Sequence, residues 1–161
     1  MRFVFVRHGH YDGKGKPAAE KKRTPLNAAG RRAAKAAGEY LMRENIVPDI
    51  VITTDTERTK ETAKILLDAL GMDNVKPQSR GGGFSAGKAS LDAKLVEWLA
   101  GVEPAPSTVI FVGHDPSQAY CLGQLANPPD IPGENRACVL IYERNDAGEW
   151  MCSSNFAGLP K

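Results

Sequence analysis

Phe3-Val4-Phe5-Val6-Arg7-His8-Gly9-His10 is a short apolar segment that runs straight into a cation, an imidazole and a glycine. Consecutive apolar residues, half of them β-branched, favour a buried strand. In an open α/β sheet the chemistry collects at the carboxyl ends of the strands, where Arg7 and His8 would stand. Gly9 allows the backbone to turn sharply and a ligand to come close. Taken alone, these residues describe no more than a buried strand followed by a polar turn. Their meaning comes from what repeats downstream.

Residues 11–25, rich in Gly, Lys and Pro, read as a loop. Asn27 is a good N-cap for a helix reaching about Arg43. Its alanines (Ala28, Ala29, Ala33, Ala34, Ala36, Ala37), with Tyr40 and Leu41, give a small-residue face for packing on a sheet. Asp49-Ile50-Val51-Ile52-Thr53 is a second buried strand. A helix from Thr54 or Asp55 to about Leu70 follows, with Asp55 as a cap candidate, Ile65, Leu66 and Leu70 inward, and Gly71 as its terminal glycine. Residues 75–78 suggest a short strand and 80–83 a flexible loop. A third helix begins at Ser90 and stops at Gly101. Thr108-Val109-Ile110-Phe111-Val112 is the strongest strand signal in the chain. Gly113-His114-Asp115-Pro116 turns it into a fourth helix ending near Leu125, with a Pro-rich loop at 127–136. Strands near 137–143 and 149–151, around a turn at 145–148, form an antiparallel hairpin. The alternation predicts an α/β fold: a three-layer α/β/α sandwich around a mainly parallel sheet with an antiparallel edge.

With 161 residues the chain is expected to form a single domain, 1–161. Its 42% hydrophobic and 25% charged residues are those of a globular protein, and 21 basic against 19 acidic residues leave a net charge of +2. No strong attraction to nucleic acid or to a membrane follows from that balance. Lys21-Lys22-Arg23 is a solvated cluster able to attract an anionic substrate. Cys121, Cys138 and Cys152 show neither paired nor metal-ligand spacing, so a reducing compartment is expected. No leader-like segment and no apolar run of about 18–20 residues is visible. The expectation is a cytoplasmic protein.

Polar residues gather just past three strand signals: Arg7-His8 after the first, Arg58 in the first turn of the helix after the second, and His114 after the strand at 108–112. If these strands are parallel neighbours, the clusters meet at one edge. Two histidines and two arginines beside helix N-termini make an anion site, most naturally for a phosphoryl group. Arginine forks match phosphoryl oxygens, and an imidazole with one free nitrogen attacks phosphorus. No phosphate-binding glycine loop and no magnesium-type carboxylate cluster is present, so the expected chemistry uses no metal and no cofactor.

At this point the chain resembles the histidine phosphatase superfamily, also called phosphoglycerate-mutase-like. The resemblance lies in Arg7-His8-Gly9 after a first strand, in Thr24-Pro25-Leu26-Asn27-Ala28-Ala29-Gly30-Arg31, in Thr53-Thr54-Asp55-Thr56-Glu57-Arg58-Thr59-Lys60-Glu61-Thr62-Ala63, and in Gly113-His114. It departs from the usual pattern where Thr53-Thr54-Asp55 stands for Ser-Ser-Pro and Asn27 for threonine. It implies His8 as the residue that becomes phosphorylated, with Arg7, Arg58 and His114 holding the phosphoryl group. Gly9, His10 and Asp115 line the substrate side, His10 and Tyr11 at the rim.

The resemblance leaves the proton donor open. The mutase-like branch uses a glutamate between the arginine block and the second histidine, where this chain offers Asp92 and Glu97. The acid-phosphatase branch uses an aspartate after that histidine, matching His114-Asp115. Asp115 before Pro116 equally fits a helix cap. A phosphoramidate needs less acid help, because its imidazole leaves neutral. The chain is too short for the lid insertions of mutases and is most similar to the small SixA-type phosphohistidine phosphatases. That implies a metal-independent phosphatase acting on a phosphorylated protein or small phosphate substrate. A serine/threonine or small-molecule phosphate-ester phosphatase of the mutase-like branch is the alternative. A catalytically slow phosphate- or phosphopeptide-binding module is the alternative from another class.

Overall fold

The computed structural model describes residues 1–80, 101, 106–115, 125–126 and 135–159. Strands β1 (Arg2–Arg7), β2 (Ile50–Thr54), β3 (Gln78–Arg80), β4 (Thr108–Gly113), β5 (Leu125–Ala126), β6 (Val139–Arg144) and β7 (Trp150–Phe156) form one sheet in the order β3-β2-β4-β1-β6-β7-β5. From β3 to β1 every neighbour is parallel, and β6 and β7 add antiparallel strands on the far side of β1. The mainly parallel core with an antiparallel edge is as expected. β4 is buried along its whole length, as a strand covered on both faces must be.

Helices α2 (Ala28–Arg43) and α3 (Glu57–Leu70) pack on one face of the sheet, over Val4, Val6, Val51, Ile110 and Val112. Ala33, Ala34 and Ala37 of α2 are fully buried there, so the alanine face does what its size allows. The opposite face carries Phe3, Phe5, Ile52, Val109, Phe111 and Tyr142, also buried. The expected helices at 90–101 and 116–125 and most of the loop at 127–136 lie outside the described residues, although β5 occupies the end of the second.

Several expectations are corrected. Residues 11–25 contain a helix, α1 (Ala18–Arg23), which buries no side chain and so carries no apolar periodicity to announce it. Strand β3 lies at Gln78–Arg80 rather than at 75–78. In α3 Leu67, not Ile65, shares the buried face with Leu66 and Ala63, although Gly71 does close the helix in the left-handed conformation at φ 69°. Strand β7 runs to Phe156 rather than stopping at 151. Its Cys152-Ser153-Ser154-Asn155 run is polar because alternate residues face solvent. No described helix is long and apolar enough to cross a membrane.

Candidate active site

The parallel register sets Arg7 opposite Gly113, so the next residue of each strand, His8 and His114, emerge side by side. The His8 amide donates to the Gly113 carbonyl at 2.9 Å, and the two imidazole centroids lie 5.1 Å apart. β2 ends beside them at Thr54, and α3 begins almost at once with Thr56 as N-cap, which puts Arg58 in its first turn. From there Arg58 Nε donates to His8 Nε2 at 3.3 Å and Nη2 to His114 Nδ1 at 3.4 Å. Three strand ends therefore do meet. Arg7 reaches round from β1 to give Nε to the His114 carbonyl at 2.9 Å and Nη1 to the Asn135 carbonyl at 3.0 Å.

The hydrogen bonds assign the tautomers. His8 Nδ1 lies 2.7 Å from the Gly9 carbonyl, which only accepts, so Nδ1 carries the proton and the Nε2 lone pair faces Arg58. His114 Nδ1 accepts from Arg58, leaving its Nε2–H to donate to Thr54 Oγ1 at 3.0 Å. Burial holds His8 well below the ordinary 6.5, and the charges of His114, Arg58 and Arg136 press the same way, against the Gly9 hydrogen bond. Burial, then Arg58 and Arg7, bring His114 down to about 4. Both rings are neutral near pH 7. Burial and Arg136 also lower Arg7, but a guanidinium stays charged. A fixed, neutral imidazole facing a cation is the form that attacks an electrophilic anion.

Threonines hold this arrangement. Thr62 Oγ1 donates to the Arg58 carbonyl at 2.6 Å and accepts the Gly9 amide at 3.1 Å, tying α3 to the turn after β1. Thr59 Oγ1 lies within 3.1 Å of Thr54 Oγ1 and within 2.9 Å of the carbonyls of Thr54 and Thr56. No local pattern marks these residues for the site, although Thr59 and Thr62 stand three apart on one face of α3 and Thr56 caps it. Asp55 is not the cap it was expected to be. It pairs with Lys22 at 2.7 Å and Lys60 at 2.9 Å, whose hydrogen bonds pull its carboxyl down to about 2.

The remaining candidates sit differently. A Cβ on Gly9 would stand 2.4 Å from the Gly30 carbonyl oxygen, so what approaches Gly9 is the start of α2 rather than a ligand. His10 is buried with Nε2 3.1 Å from the Leu159 carbonyl, which turns the ring toward the end of the described chain. Asp115 is exposed, one residue beyond His114, and its charge raises Arg7. Asp92, Glu97 and the helix expected after Pro116 lie outside the described residues. Arg136, at the end of the expected Pro-rich loop, bears on both His8 and Arg7. A cleft of about 390 Å3 opens on the site, lined by Lys21 and Lys22 of α1 with Asp55, Thr56, Arg58 and His114. Among the described residues no group of His, Cys, Asp and Glu is placed to hold a metal ion.

Residues 3–80 match the family model of the histidine phosphatase superfamily, branch 1. An uncharacterized phosphatase, PhoE, of Bacillus subtilis is 35% identical over 82 residues, which span 47% of this chain and 42% of that one. A 2,3-bisphosphoglycerate-dependent phosphoglycerate mutase of Bifidobacterium longum is 47% identical over 45 residues, 28% of this chain and 18% of the mutase. The chain thus aligns with less than half the length of these relatives. In three dimensions it resembles the protein histidine phosphatase SixA complexed with tungstate, with a TM-score of 0.73 at 16% identity over 97% of this chain and 96% of that one. A mycobacterial glucosyl-3-phosphoglycerate phosphatase complexed with VO3 superposes with a TM-score of 0.66 at 18% identity, covering 95% and 97%. Residues 3–80 thus resemble the histidine phosphatase superfamily in sequence, and nearly the whole chain shares the fold of these solved phosphatase structures.

Proposed function

We propose that the protein is a phosphatase that works through a phosphohistidine on His8, its substrate a phosphorylated histidine side chain of a protein. The observation that carries this is the state of His8: buried, neutral, its Nδ1–H committed to the Gly9 carbonyl and its Nε2 lone pair facing Arg58. Nε2 attacks phosphorus while the P–N bond to the leaving imidazole breaks. That imidazole departs neutral when its far nitrogen carries a proton. Water then attacks the same phosphorus, the P–Nε2 bond breaks, and dihydrogen phosphate leaves with His8 again neutral. Arg7, Arg58 and His114 surround the position the phosphoryl oxygens take, and stabilise charge spread over them.

The tungstate-bound SixA structure supports the reading, because tungstate is a tetrahedral oxyanion held on the same fold. A phosphate-ester substrate is the second reading, favoured by Asp115, an exposed carboxyl beside His114 that could protonate an alkoxide. Purified protein kept in EDTA and assayed on phosphohistidine, phosphoserine peptides and small phosphate esters tests both. Metal-independent turnover, fastest on phosphohistidine and lost in His8→Ala, is expected. Preference for the esters favours the second reading, and tight phosphate binding without turnover favours a binding module. Activity that vanishes in EDTA and returns with a divalent metal overturns the mechanism.

A further inference from the structure

We propose that Tyr11 is a positioning residue that holds the guanidinium of Arg58 in place through its ring face, an inference that rests on the phosphatase reading for its catalytic consequence. Arg58 Cζ sits 4.4 Å from the centroid of the Tyr11 ring, and the same ring stands nearly perpendicular to the His8 imidazole, with centroids 5.4 Å apart and an angle of 79° between planes. One side chain thus touches both the cation and the imidazole that the reaction brings together.

The other contacts of Arg58 explain why a ring face suits this place. Its Nη1 donates to the Lys21 carbonyl at 2.7 Å, and Nε and Nη2 go to the lone pairs of His8 and His114. All these partners are uncharged. A carboxylate there would fix the guanidinium equally well, but would occupy its fork and cancel the charge that an incoming phosphoryl group needs. An aromatic face attracts the cation without accepting its in-plane N–H bonds. The Nε–Nη2 edge stays turned toward His8 and His114, where a phosphoryl group would arrive.

The fold provides for the ring. Tyr11 is held in an isolated backbone bridge with Leu26, ahead of α2. The ring lies over Gly13, where a Cβ would fall 2.1 Å from Tyr11 Cε2, so the chain beneath it has to be bare. The lone aromatic beyond the His8-Gly9-His10 turn is therefore seated, not merely exposed at a rim.

The test compares Tyr11→Leu, Tyr11→Phe and Arg58→Ala, singly and combined, by kcat and KM on an aryl phosphate and by tungstate affinity. We expect Tyr11→Leu to lower kcat about ten-fold, with KM changed less, and to weaken tungstate binding by a similar factor. Tyr11→Phe, which keeps the ring face, should restore most of both. In the Arg58→Ala background Tyr11→Leu should cost nothing further, because the residue it positions is gone. Additive losses in the double variant, or a Tyr11→Leu protein that melts early but keeps its kcat and tungstate affinity, overturn the proposal and leave Tyr11 structural. If the parent protein hydrolyses neither phosphohistidine nor the aryl phosphate, the phosphatase reading fails by itself. The tungstate affinities and their coupling then still decide whether Tyr11 holds Arg58.

Discussion

Arg58 is the residue on which most of the site converges, since it touches His8, His114, the Lys21 carbonyl and the Tyr11 ring. Its charge is free to meet developing negative charge on a phosphoryl group, and removing one such fixed donor typically costs about 3–4 kcal/mol. Arg58→Ala should therefore lower kcat by about 10²–10³ while the circular dichroism spectrum is unchanged. Near-normal kinetics would place Arg58 outside the reaction. The histidines predict a pH signature of stability. His114 titrates at about 4 in the fold against 6.5 when unfolded, so between those values the unfolded chain binds a proton that the folded chain does not. Stability is then full above pH 6.5, falls as acid is added and levels off below about 4, with a slope of up to ~1.4 kcal/mol per pH unit. His8 acts in the same direction. The exposed Asp55, lowered from 3.8 to about 2, contributes only at still lower pH. Urea unfolding between pH 7 and 4.5 should show a shallower dependence in His114→Gln, and identical slopes would contradict the burial argument. Asp115 separates the two substrate readings: if it is only a cap, Asp115→Asn leaves alkyl and aryl phosphate hydrolysis equally unaffected, because asparagine caps as well as aspartate. We expect that result. A selective loss on alkyl phosphates would make Asp115 the general acid and turn the reading toward esters.

Between elements, the tightest constraint is where the turn after β1 meets the start of α2. A Cβ on Gly30 would lie 2.1 Å from the His10 carbonyl oxygen, and one on Gly9 2.4 Å from the Gly30 oxygen. The two backbones touch, and the Asn27 amide donates to the same His10 carbonyl at 3.0 Å. Gly30→Ala should force them apart at a cost of about 1–3 kcal/mol, measured by urea unfolding, and should also slow turnover because His8 and Gly9 move with the turn. A variant as stable and as active as the parent would contradict this account of the contact. The start of α2 was legible because Asn27 announces itself chemically, and its side chain does accept the Gly30 amide at 2.9 Å. The elements that were not legible are those whose stability comes from elsewhere. Helix α1 has no apolar face and is tethered through Lys22 to Asp55 and through the Lys21 carbonyl to Arg58. Strand β7 hides its alternation in Ser and Asn because one side faces water.

At the scale of the molecule, the meeting of His8, Arg58 and His114 was legible because the apolar runs at β1, β2 and β4 admit little besides buried parallel strands. Parallel neighbours deliver the residues at their carboxyl ends to one edge. Tyr11 was legible only as a rim residue, and its seat against Arg58 and His8, the hydroxyls of Thr59 and Thr62 and the charge of Arg136 were not legible. Their roles are through-space contacts that no local pattern encodes. The parallel core thus fixes a neutral His8 against Arg58, and this imidazole is the group proposed to take the phosphoryl group. Rapid denaturing quench in base during turnover of a radiolabelled phosphate donor tests it most directly. Label is expected on the peptide carrying His8, stable in base and lost in acid, and absent from His8→Ala. Label on a serine or a carboxylate, or turnover that survives His8→Ala, would contradict it.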